Sequence, residues 1–221
     1  MIDVERYISR LTDSLLIEYG SRLVYVGFQG SYLRGEATEN SDIDIVAVIE
    51  KLDVSDLERY RSIIQSMEAP AKSCGFICSK DDIAHWNPLE MHHLLNCTKD
   101  YYGALNELVP DYTETDIRNF IKLSLNNLYH EICHRFVHSV DNQNLSKLAG
   151  AYKGVFFILQ NLYFLRLGRF IATKSELLPL LNDNDYAVLK RANDLDAGFC
   201  HDFQDCFELL FKWCQDTLKS L

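Results

Sequence analysis

Asp42 and Asp44 lie two residues apart in SDIDIVAVI, at the head of a run of β-formers that ends at Ile49. Side chains two apart on a strand share a face. The two carboxylates therefore stand side by side, while Ile43 and Ile45 turn the other way into a core. Paired carboxylates repel each other and are costly to desolvate. A divalent cation between them removes the conflict. Mg²⁺ suits the pair, because it is a hard ion that takes oxygen ligands and commonly shares them with substrate phosphates. Just upstream, after the β-rich run Leu23 to Phe28, come Gly30 and Ser31. A glycine lets the backbone approach a ligand closely, and N–H groups at a following helix start attract anions. A phosphate cradle and a metal pair joined by one short loop imply a site for a nucleoside triphosphate held with Mg²⁺.

Gly30-Ser31, Arg34-Gly35 and Ser41-Asp42-Ile43-Asp44 together resemble the DNA polymerase beta-like nucleotidyltransferase superfamily. Within it, the pattern is most similar to the small bacterial branch that holds the minimal and the aminoglycoside nucleotidyltransferases. A β-hairpin with an acidic edge would account for the two aspartates but not for a glycine-serine turn at that distance. The resemblance implies attack of an acceptor oxygen on the α-phosphate of ATP or another nucleoside triphosphate, with pyrophosphate leaving. It gives catalysis and metal binding to Asp42 and Asp44, and the nucleotide to Gly30, Ser31 and Arg34. Aminoglycoside nucleotidyltransferases also carry a helix lysine in their C-terminal domain that reaches the triphosphate. By that resemblance Lys153 takes the role here. The family normally adds a third carboxylate from a later strand, and here the chain departs from the pattern. The interior of the expected third strand, Ser73 to Cys78, has no acid. Glu68, Asp81, Asp82, Glu90, Asp100 and the more distant Glu131 are available, and spacing selects none of them.

The elements that must position these groups follow from periodicity. Asp3 to Tyr19 places Val4, Ile8, Leu11, Leu15 and Leu16 at helical spacing, with Gly20 as the stop. Strands are expected at residues 22–28, 42–49 and 71–79, and a fourth at Leu94 to Thr98. The second is apolar enough to be buried on both faces. Between them, residues 54–67 predict a helix capped by Ser55, Asp81 to Trp86 a single turn, and Pro88 the start of another short helix. After Pro110 the pattern changes to long apolar periodicities without strands. Helices are expected over residues 116–140, 145–167, 174–181, 183–193 and 199–218, with Gly168 as a C-cap. The fold class is α+β: a small mixed-sheet domain over residues 1–110 followed by a helical bundle over residues 111–221 that binds the acceptor.

Composition bounds the partners. The 221 residues are 48% hydrophobic, enough for one or two cored domains, and no apolar run is expected to span a membrane. The amphipathic, charged start MIDVERYISRL lacks an apolar signal segment, so the chain reads as cytoplasmic. Its seven cysteines, odd in number and without a CxxC, agree with that, and Cys74 and Cys78 read as buried thiols. A net charge of −10 argues against nucleic acid and anionic membranes as partners. It suits a small cationic acceptor such as an aminoglycoside, held between the domains by acids such as Asp183, Asp185, Asp194 and Asp216. A homodimer stays open.

Two other functions compete with this one. In the first, the same chemistry modifies a protein, as minimal nucleotidyltransferases of toxin–antitoxin pairs do. In the second, the chain binds nucleotide without turnover, which the missing third acid would favour. Separately, His130, His134 and His138 recur every four residues along one expected helix. Such spacing can present imidazoles to one metal, or form a polar stripe towards solvent or a cleft.

Overall fold

The computed structural model describes residues 2–138, 145–199 and 201–221, which form two compact units, Met1–Tyr112 and Thr113–Leu221. The first unit runs α1 (Val4–Tyr19), β1 (Leu23–Gln29), α2 (Gly30–Leu33), β2 (Ile43–Ile49), α3 (Val54–Ser66), β3 (Ser73–Ser79), α4 (Lys80–Ala84), α5 (Pro88–Asn96) and β4 (Lys99–Tyr102). Its strands make one mixed sheet in the order β3-β2-β1-β4. β1 runs antiparallel to β2 and β4, while β2 and β3 run parallel, joined by the crossover helix α3.

β2 sits at the centre and is buried on both faces. Ile43, Ile45, Ala47 and Ile49 pack with Ile8, Leu11 and Leu15 of α1 and with Tyr60, Ile63 and Ile64 of α3. Val46 and Val48 face the other way, against Tyr25, Cys78, Ile83 and Leu105. Asp44 belongs to that second face by the two-residue period, at its open end. Asp3 starts α1 by accepting from the Arg6 N–H at 3.1 Å, and Gly20, at φ +55°, stops it.

Two local expectations are corrected. Asp53, not Ser55, caps α3. The Asp53 carboxylate accepts from the Asp56 N–H at 2.9 Å, and Asp56 returns the bond to the Asp53 N–H at 3.2 Å. Ser55 only donates its hydroxyl to the capping carboxylate, at 2.7 Å. Residues 94–98 are not a strand, because α5 continues to Asn96 and the edge strand follows at Lys99. All four residues of β4 are exposed, so no apolar alternation marks it.

The second unit holds α6 (Glu114–His138), α7 (Leu145–Tyr152), α8 (Val155–Leu167), α9 (Lys174–Leu177), α10 (Asp183–Asp196) and α11 (Phe203–Ser220), and no strand among the described residues. Residues 139 and 140 of the expected first helix lie outside those described. The single helix expected over 145–167 is broken at Lys153 and Gly154, where both N–H groups turn to carbonyls three residues back. Pro179 sits in the 3-10 turn that replaces the end of the third expected helix. The last helix starts at Phe203, four residues later than expected, because Gly198 ends α10 at φ +79° and Asp202 caps α11. α8 is buried almost all round, which marks a core helix. The stretch Lys147–Leu167 is long and apolar enough, at mean hydropathy 1.2, to pass for a membrane span, contrary to the sequence expectation. Of that window 56% is buried inside the unit, so burial against α6 and α10 accounts for its apolarity.

Candidate active site

The site grows from the ends of β1, β2 and β3. The register pairs Gln29 with Asp44 and Asp44 with Cys74. Gln29, Asp44 and Cys74 therefore form one row across three strands, on the face that carries Val46 and Phe76 further in. Asp44 is half-buried and Asp42, just ahead of the strand, is exposed. Desolvation raises the Asp44 carboxyl above the ordinary carboxylate range, and the negative charge of Asp42 adds to the rise. The Cys74 thiol, hydrogen-bonded to Asp44, and the Arg34 guanidinium act the other way.

Gly30 closes the opposite wall. It follows β1 directly, at φ +79°, and opens α2. A Cβ at this position would lie 1.9 Å from Asp44 Oδ2, so only glycine admits that carboxylate. Ser31 comes next and is half-buried. Arg34 follows α2; its Nε donates to Glu36 Oε2 at 2.9 Å, with both side chains mostly shielded. The Arg34 charge reaches Asp44 on one side and, on the other, His93 of α5 and Cys97 just past its end. Burial, reinforced by His92 and Arg34, lowers His93 to about 4, and burial alone takes His92 to about 4.

The chemistry of this donor set fits a hard divalent cation. Asp44 is desolvated against Gly30, and Asp42 adds a second negative charge beside it. Among the described residues no three His, Cys, Asp or Glu side chains converge for a metal. The acids considered as a third ligand are occupied elsewhere or exposed. Asp100 accepts from the Tyr25 hydroxyl at 2.7 Å, one row deeper, and Asp82 shares a capping box with Ser79. Glu90 accepts from Trp86 Nε1 at 2.7 Å, while Glu68 and Asp81 are exposed. Glu131 is in the second unit, paired with Arg135. The place beside Asp44 on the next strand belongs to Cys74, which is exposed rather than buried as expected. Gln29, whose amide donates to Thr98 Oγ1 at 2.6 Å, was not singled out by sequence. Cross-strand register alone places it.

Gly30, Asp42, Asp44 and Arg34 are thus brought together, with Ser31 adjoining. Lys153 belongs to the second unit. It is exposed, stands between α7 and α8 rather than within a helix, and lines a 470 Å³ cavity with Lys174, Asp196, Phe156 and Phe199. Two of the four bundle acids named from sequence, Asp185 and Asp194, are committed, as is Asp196 beside Lys153. Asp185 accepts from Arg166 at 2.6 Å and from Trp213 at 2.7 Å, Asp194 pairs with Lys190 at 2.8 Å, and Asp196 pairs with Lys174 at 3.2 Å. Asp183, Asp185 and Asp216 line a separate 400 Å³ cavity together with Arg166.

Residues 13–72 match the family model of the nucleotidyltransferase domain. No curated protein matches the chain significantly. Among solved structures, the spectinomycin adenyltransferase AAD(9) from Enterococcus faecialis, crystallised with ATP and spectinomycin, superposes with a TM-score of 0.60. At 16% identity, the match covers 97% of this chain and 99% of that one, so the two share a fold over their whole length. A toxin–antitoxin structure with AMP-PNP matches 59% of this chain and 91% of its own, at 17% identity. Its TM-score of 0.32 is too low for any conclusion about this chain.

Proposed function

We propose that this chain is a nucleotidyltransferase of the DNA polymerase beta-like superfamily and that it transfers AMP from ATP to a hydroxyl of a small cationic acceptor of the aminoglycoside or aminocyclitol kind. The observation that carries the reading is the Asp44 carboxylate, with the charge of Asp42 beside it, seated against Gly30 where a Cβ would collide with it. The acceptor oxygen bonds to the α-phosphorus as the α–β anhydride bond breaks. Pyrophosphate leaves with that electron pair, and the hydroxyl proton is lost to water. Asp42 and Asp44 would hold Mg²⁺, which when bound neutralises charge on the reacting phosphates. Gly30 lets backbone approach the triphosphate, Ser31 offers a hydroxyl donor, and Arg34 adds positive charge. Lys153 is the candidate from the bundle for the same triphosphate. The fold shared with an enzyme crystallised with ATP and spectinomycin supports the choice of nucleotide and acceptor class.

The test is pyrophosphate release from ATP and Mg²⁺ against a panel of aminoglycosides, aminocyclitols, polyamines, neutral sugars and candidate protein acceptors. Amine-bearing acceptors are expected to lead, with activity falling as salt rises. Asp42→Asn should lower turnover by at least about a hundredfold without unfolding the chain. Faster transfer to neutral sugars at low ionic strength, or normal turnover by the variant, would overturn the reading.

One observation favours a second reading. The neighbour of Asp44 on β3 is the Cys74 thiol and not an acid, which suits a protein that binds nucleotide without turning it over. Mg²⁺-dependent ATP binding with no pyrophosphate from any acceptor would select it.

A further inference from the structure

The helical unit carries a feature that nucleotidyl transfer does not use. His130, His134 and His138 follow one another along the last turns of α6, each exposed. Ring centroids are 6.0 Å apart for His130 and His134, and 4.9 Å for His134 and His138. Two imidazoles that each bind one ion through a ring nitrogen at about 2.1 Å, at a tetrahedral angle, have centroids roughly 5 Å apart. The second pair has that separation and the first is too wide. The rings border a 540 Å³ cavity with Glu131, Arg135 and Lys147, open enough for an ion and its waters.

We propose that His134 and His138 chelate one borderline transition-metal ion, Zn²⁺, Ni²⁺ or Cu²⁺, with water completing its shell. Imidazole nitrogen suits these ions, whereas Mg²⁺ prefers oxygen. The site is thus chemically separate from the carboxylate pair of the first unit and does not depend on the function proposed there. Two ligands and no more follow from the described residues, among which no three such groups converge. The local charge is mixed. Glu131 is tied to Arg135 at 2.9 Å, and the cationic Lys147 borders the same cavity. Affinity is therefore that of a surface chelate. Joining side chains one turn apart, the ion would clamp the C-terminal end of α6.

The test is calorimetric titration of the full chain with NiCl₂ in millimolar MgCl₂, which keeps the carboxylate pair filled with a hard ion. One equivalent of Ni²⁺ is expected. His134→Ala and His138→Ala should each weaken it by at least about tenfold, and the double variant should lose it, with every cysteine still present. His130→Ala should stay within about threefold, and Lys147→Glu should tighten binding. Circular dichroism checks that the variants keep their helices. Wild-type Ni²⁺ binding by the double variant would overturn the proposal. So would a His130→Ala loss as large as that of His134→Ala, or a Lys147→Glu variant that binds no more tightly.

Discussion

Gly30→Ala gives the sharpest test of the site, because Gly35→Ala is its control. Both glycines hold positive φ, +79° and +70°. An L-residue in that region costs roughly 1–2 kcal/mol. At Gly35 nothing lies within 4 Å of the added methyl, so the backbone cost stands alone. At Gly30 the methyl would sit 1.9 Å from Asp44 Oδ2 and 2.8 Å from its Cγ. The carboxylate must leave its rotamer, at about 0.5–1.5 kcal/mol more. Unfolded-state entropy changes equally in both variants and cancels. Gly30→Ala should therefore be less stable than Gly35→Ala by about 1 kcal/mol in urea denaturation. Its effect on turnover should be far larger, because a reacting group displaced by about 1 Å can lower rate a hundredfold. In an Asp44→Ala background most of the extra destabilisation should vanish, since the two closest atoms are gone and only the Cβ, at 3.2 Å, stays tight. If Gly30→Ala matches Gly35→Ala in both stability and turnover, Gly30 and Asp44 do not form the two walls of one site.

Other substitutions probe the surroundings. Cys74→Asp would put a third carboxylate beside Asp44, and should tighten Mg²⁺ binding by about tenfold while making the metal-free protein less stable through repulsion. Unchanged Mg²⁺ affinity by calorimetry would show that the β3 position does not face the ion. His92 and His93 are held near 4 by burial, so the folded state binds fewer protons than the unfolded one. Their contribution is intact above about 6.5 and is lost as pH falls from there towards 4. His93→Gln should flatten that part of the stability profile, and an unaltered profile would refute the assignment. Asp56, whose carboxylate is 2% exposed, holds Arg22 at 2.5 Å and completes the α3 capping box. Asp56→Ala should lower stability by about 2–3 kcal/mol, discounted for the partly exposed arginine, and a loss below about 0.5 kcal/mol would contradict that role.

What sequence disclosed depended on whether the signal was local. β2 was legible because burial on both faces leaves a continuous apolar run, and the aspartates interrupt it at one end. β4 was illegible because an exposed edge strand needs no apolar pattern. The break at Lys153 and Gly154 was hidden by its own surroundings. Leu148, Ala151, Tyr152, Val155 and Phe156 are all buried, so the apolar period runs straight through the turn. The cap of α3 was misread because Asp53 and Ser55 are both good capping residues, and the box partner is an aspartate instead of the usual glutamate or glutamine. Cys74 read as a core thiol because cysteine usually is one. Its place beside Asp44 depends on a parallel register set by the whole crossover, which no short window contains.

The same register explains why Asp44 bears more strain than Asp42. Its neighbours across the sheet are an amide, Gln29, and a thiol, Cys74, which can hydrogen-bond a carboxylate but cannot neutralise it. The nearby cation, Arg34, is already engaged with Glu36. Asp44 is therefore desolvated without full compensation and sits next to a second negative charge, and its carboxyl is raised accordingly. In the metal-free protein that cost is present above the raised value and relieved as pH falls through it, towards the ordinary aspartate range. A divalent cation would relieve it at neutral pH instead. Asp42, exposed and ahead of the strand, can adjust its position at little cost. If the pair holds Mg²⁺ as proposed, Asp44 would be the fixed ligand and Asp42 the adaptable one. Ion binding should then weaken as pH falls through the raised Asp44 value, because a proton and the ion compete for the same half-buried carboxylate.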